Sequence, residues 1–81
     1  MNDLFSINRY MYVDVNAHSK HVIYARNVEF ADELAKRISA LGIFKLRRAK
    51  IFFVKKLVTD IPPYELEQEQ LSTVESWEKK R

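Results

Sequence analysis

Asn27-Val28-Glu29-Phe30-Ala31-Asp32-Glu33-Leu34-Ala35-Lys36-Arg37-Ile38-Ser39-Ala40-Leu41-Gly42 decides the fold. Phe30, Leu34, Ile38 and Leu41 recur at the spacing of one helical face, flanked by Ala31 and Ala35. Asn27 is a residue type that caps helix N-termini, because its side chain accepts a bond from a free amide of the first turn. Glu29, Asp32 and Glu33 suit the positive end of the helix dipole, and Lys36 and Arg37 lie further along. Gly42 falls at the C′ position, where a left-handed backbone needs a residue without Cβ, and Ile43 would follow at C″ against Ile38. Periodicity and capping together predict an amphipathic helix over residues 30–41.

Strands flank it. Arg9-Tyr10-Met11-Tyr12-Val13-Asp14-Val15 and His21-Val22-Ile23-Tyr24-Ala25-Arg26 are rich in β-branched and aromatic residues. The polar linker Asn16–Lys20 is short enough for a hairpin. Pairing Val15 with His21, Val13 with Ile23 and Met11 with Ala25 gathers Met11, Val13, Val15, Ile23 and Ala25 on one expected core face. Tyr10, Tyr12, Asp14, Val22, Tyr24 and Arg26 then lie on the other, with Tyr12 opposite Tyr24. Residues 50–58 predict a third strand, beginning nearer Phe44. In it Lys50, Phe52, Val54 and Lys56 share one face by simple alternation, and Ile51, Phe53, Lys55 and Leu57 the other. Pro62 and Pro63 break the pattern, and Pro63 suits the first position of a helix over 64–79. The expected fold is a small α+β domain of order β-β-α-β-α. It has a three-stranded antiparallel sheet, one amphipathic helix on its core face and a C-terminal helix. Residues 1–61 form the core domain. Residues 62–81 form an acidic-then-basic helix that belongs to the same domain or serves as an interaction arm.

At 81 residues the chain is one domain with a thin core. It has no cysteine, which excludes disulfides and Cys-based zinc sites. No apolar run is long enough to span a membrane. No signal-peptide pattern opens the chain, so a cytoplasmic location is expected. The net charge of +3 hides a strong asymmetry. Residues 1–44 balance to zero. Lys45, Arg47, Arg48, Lys50, Lys55 and Lys56 then form a purely basic block. Asp60, Glu65, Glu67, Glu69, Glu75 and Glu78 form a purely acidic one directly after it.

No phosphate loop, nucleophile elbow or His-Glu-x-x-His is present, and no enzymatic activity or cofactor is expected. His18 and His21 lack further ligands for a metal and are expected as solvated turn residues. Glu65 and Glu69 are neighbours on a face that a charged helix turns to water. Binding is the expected function, through one of three surfaces. Tyr10, Tyr12, Tyr24 and Arg26 on the hairpin suit a protein interface, unless the last helix covers them as a second core. Leu66, Leu71, Val74 and Trp77 make the last helix amphipathic, for a partner groove, a second copy, or docking on its own sheet. Lys45, Arg47, Arg48, Lys50, Lys55 and Lys56 suit phosphates, with the tyrosines as stacking partners, unless the acidic segment folds back and neutralises them. The expectation is a regulator, inhibitor or adaptor of bacterial or phage type that binds a protein. The alternative is a nucleic-acid-binding protein, and homodimerisation through sheet edges is open.

Overall fold

The computed structural model describes residues 4–14, 18–43 and 49–80. It contains β1 (Phe5–Asp14), β2 (Ser19–Ala25), α1 (Val28–Ala40), β3 (Lys50–Thr59) and α2 (Pro63–Lys79). The strands form an antiparallel sheet in the order β2-β1-β3. The expected α+β fold is therefore present, in the expected element order. Strand β1 starts four residues earlier than its aromatic run suggested, and its added segment includes Ile7, which is buried. Val15, the Asn16-Ala17 part of the hairpin linker and the Phe44 start proposed for the third strand lie outside the described residues.

Helix α1 follows its local signals. The Asn27 side chain accepts from the Phe30 amide at 2.9 Å, and Gly42 takes the left-handed conformation at φ +81°. Its buried face is Ala31, Leu34, Ala35 and Ile38, whereas Phe30 and Leu41, the expected ends of the stripe, are only half-buried.

The hairpin register corrects the sequence expectation. Tyr10 pairs with Ile23, Met11 with Val22, Tyr12 with His21 and Val13 with Lys20. The shift is by an odd number of residues, so β1 presents its other face to the core. Tyr10, Tyr12 and Asp14 are buried with Ile23 and Ala25, whereas Met11 and Val13 are half-buried on the opposite face. The physical reason lies in the aromatic side chains. A tyrosine covers more apolar area than a valine or methionine, provided its hydroxyl finds a partner. Tyr12 donates its hydroxyl to Asp32 Oδ1 on α1 at 2.6 Å, and the Tyr10 hydroxyl accepts from Asn8 Nδ2 at 3.1 Å.

Helix α2 lies along the outer edge of β2. Strand β2 has β1 on one side only, and the Tyr24 and Arg26 amides point away from β1. Gln70 closes both backbone groups of Tyr24, accepting from its amide at 2.8 Å and donating to its carbonyl at 2.6 Å. Glu67 accepts from the Arg26 amide at 3.0 Å. Two side chains one helical turn apart thus act as a fourth strand, and they satisfy groups that an edge otherwise leaves to water or to another chain. Below that line Val74 is buried and Leu71 packs against the core cluster of Tyr10, Tyr12, Ile23, Leu34 and Ile38. The Arg37–Glu78 pair, with Nε to Oε2 at 3.0 Å, ties α1 to α2.

Candidate functional site

The core register removes two of the expected binding residues from the surface. Tyr10 and Tyr12 are 8% and 2% exposed. Burial, then the bond to Asp32, drives the Tyr12 phenol well above its ordinary value, so it stays neutral. Tyr24 lies on the opposite face and is half-buried beside α2. Arg26 is clamped by Glu67, with Nε and Nη2 donating to Oε1 at 3.0 and 2.8 Å. The three tyrosines therefore do not form the continuous platform that the sequence suggested. Leu71 and Val74 belong to the core, and Trp77 is 38% exposed.

Trp77, His21, Ile23, Leu34, Ile38 and Val74 line a groove between the two helices and β2, of about 140 Å³. That falls below the roughly 300–1,000 Å³ of ordinary small-molecule sites. Among the described residues no cluster of side chains could hold a metal ion. His18 sits exposed at the hairpin tip with φ +53°. His21, expected in solvent, is instead half-buried, and burial holds its imidazole below the ordinary 6.5. The folded state therefore resists a proton that the unfolded chain accepts. Stability is full above 6.5 and is lost as pH falls through that value toward the lower folded pKa. Urea midpoints are expected to drop between about pH 7.5 and 5.5, and the drop should flatten in His21→Asn. An unchanged slope in that variant would assign the dependence to another group. Glu78 acts further down. Its bond to Arg37 lowers its pKa, so its contribution goes only as pH falls below the ordinary 4.5.

Strand β3 is built differently from the rest of the sheet. Its order in the sheet makes it an edge. Ile51, Phe52, Phe53 and Val54 are 43%, 47%, 58% and 40% exposed, and Val58 is 63%. Such a run lies on the kind of long, apolar, unpaired edge that folded proteins normally shield. A helix is about 10 Å across and strands lie ~4.8 Å apart, so one helix covers about two strands. Helix α1 covers β2 and β1, and α2 is spent on the β2 edge. No described helix packs closely on β3, and Lys50–Lys56 stay exposed, while Leu57 and Thr59 at its far end are half-buried. The Phe53 ring leans on Tyr10, centroids 5.9 Å apart, and still remains the more exposed of the two phenylalanines.

The register corrects the simple alternation here too. Arg9 pairs with Lys55 and Tyr10 with Phe53, so Val54 is an extra residue forming a bulge. Beyond it the faces exchange. Lys50, Phe52, Lys55 and Leu57 share the face turned away from α1, open along Lys50–Lys55 and closed at its far end, where Ile7 beside Leu57 is buried, and Ile51, Phe53, Lys56 and Val58 share the helix side. Lys50, Lys55 and Lys56 are exposed, and no described carboxylate pairs with them. Lys45, Arg47 and Arg48 lie outside the described residues. The acidic helix does not fold back on this strand. It lies at the far edge of the sheet, where Glu67 and Glu78 pair with Arg26 and Arg37, while Glu65 and Glu69 face solvent. The molecule thus has an acidic edge and a basic, apolar edge. Comparison with protein-family models, curated proteins and solved structures found no match. The basic and apolar edge is accordingly the candidate site on its own geometry.

Proposed function

We propose that this protein is a non-enzymatic binding module that captures a protein partner by strand addition to β3, and so acts as a regulator, inhibitor or adaptor. The observation that carries the reading is the run Ile51–Val54, apolar toward both faces and exposed on an edge that no other described strand pairs. Main-chain pairing along such an edge supplies affinity, and alternate side chains on each face supply selectivity. The described residues include no helix long and apolar enough to cross a membrane. A cysteine-free chain suits the reducing cytoplasm.

A second reading, single-stranded nucleic acid, is favoured by the separation of Lys50, Lys55 and Lys56 from the acidic helix. It is the weaker of the two. Phe52 and Phe53 point to opposite faces, and successive bases stack on one platform.

Capture from host lysate with tagged protein, with and without nuclease, separates the readings. A partner retained after nuclease and reduced about tenfold in a Phe52→Thr/Phe53→Thr chain is the expected result. Threonine preserves strand propensity, and circular dichroism confirms that the variant is folded. A partner that vanishes with nuclease selects the nucleic-acid reading. A partner lost in Trp77→Ala and kept in the β3 variant moves the site to the interhelical groove.

A further inference from the structure

We infer that the strand β3 accepts is an acidic extended segment of another protein, three apolar residues preceded by two carboxylates and followed by one. This inference rests on the strand-addition reading and names the chemistry of its partner. The open face of β3 presents Lys50, Phe52 and Lys55 in succession, because the bulge at Val54 brings Lys55 onto that face. The helix-side face presents Ile51, Phe53 and Lys56. Residues directly opposite in an antiparallel pair share a face. A partner strand that spans the bulge as β1 does, leaving Val54 unpaired, therefore meets Lys56, Lys55, Phe53, Phe52, Ile51 and Lys50 in its own chain direction. The complement is acidic, acidic, apolar, apolar, apolar, acidic.

A second copy of the chain is a poorer occupant of the same edge. Apposing two β3 strands antiparallel about Phe53, which matches their apolar centres, sets Lys50 of each against Lys56 of the other, and neither strand carries a carboxylate. Like charges across a pair are destabilising, and lysine on an edge is a recognised guard against self-pairing. The chain's own acidic residues offer no relief, because α2 lies at the other edge, beyond β1 and β2. Apolar side chains thus invite a strand while the lysines select its charge.

The test uses the full chain and capped peptides. The probe is Thr-Glu-Glu-Val-Ile-Val-Glu-Thr. One control replaces its glutamates with lysine, and a second carries N-methyl groups along the backbone. The glutamate probe is expected to shift and protect β3 amides in NMR spectra, with the lysine peptide about tenfold weaker. Equal binding of the lysine peptide overturns the charge inference while leaving strand addition standing. Equal binding of the N-methylated peptide removes strand addition itself, and the inference with it. Absence of binding by every peptide overturns the inference. So does a dimer in sedimentation that dissociates in the Phe52→Thr/Phe53→Thr chain, which makes the occupant a second copy. Displacement of the glutamate probe by oligo(dT) reassigns the edge to nucleic acid.

Discussion

A Tyr12→Ala chain is expected to lose about 3–5 kcal/mol of folding stability, the range for truncating a large buried aromatic. Tyr12 is 2% exposed at the centre of the cluster formed with Ile23, Ala31, Leu34, Ala35 and Ile38. Its removal opens a cavity between β1 and α1 and takes the hydroxyl away from Asp32. A domain of this size has roughly 4–12 kcal/mol in total, so much of that chain should be unfolded near physiological temperature. Tyr12→Phe keeps the ring and removes only the hydroxyl. Because Asp32 is half-buried and can turn to water, that change should cost about 1–2 kcal/mol. Val13→Ala is the informative control, since Val13 lies on the half-buried opposite face. Chemical denaturation that ranks Val13→Ala as the costlier change would overturn the hairpin register and the choice of core face.

Removing the two side chains that imitate a strand should be nearly as damaging. In a Glu67→Ala/Gln70→Ala chain the Tyr24 amide and carbonyl and the Arg26 amide lose their partners. At roughly 1 kcal/mol for each lost bond the cost is about 3 kcal/mol. Arg26 adds little to this, because its side chain is 56% exposed and water replaces the carboxylate. The same change uncovers the β2 edge, so concentration-dependent association should appear in sedimentation. A double variant that is as stable and as poorly associating as the parent would show that α2 does not hold the edge in solution. Gln70→Glu separates bonding from packing. A carboxylate still accepts from the Tyr24 amide but has no hydrogen to give its carbonyl.

Local order was legible where one short stretch carries several agreeing signals. The Asn27 cap, the Leu34–Ile38 centre of the buried face and the left-handed Gly42 each follow from a few neighbouring residues, although the alanines, not Phe30 and Leu41, complete that face. The strands and the second helix were legible in the same way. The hairpin register was not. Val-Asp-Val beside Tyr-Met-Tyr alternates with apolar character on both faces, and periodicity alone has no means to choose between them. Only the position of Asp32 on α1, within reach of the Tyr12 hydroxyl, makes the tyrosine face the better one to bury. The candidate site was half legible. The basic block and the neighbouring apolar run are plain in the sequence, but simple alternation missed the bulge that moves Lys55 onto the face of Lys50 and Phe52.

The sequence by itself determined the elements, their order and the segregation of charge into two blocks, because those depend on spacing and composition within short windows. The tertiary structure decided which face of β1 is core, which edge of the sheet is closed, and which residues remain for a partner. These are competitions for a limited covering surface. One helix covers two strands, the second helix goes to the β2 edge because Glu67 and Gln70 can satisfy its backbone, and β3 is left apolar, basic and open.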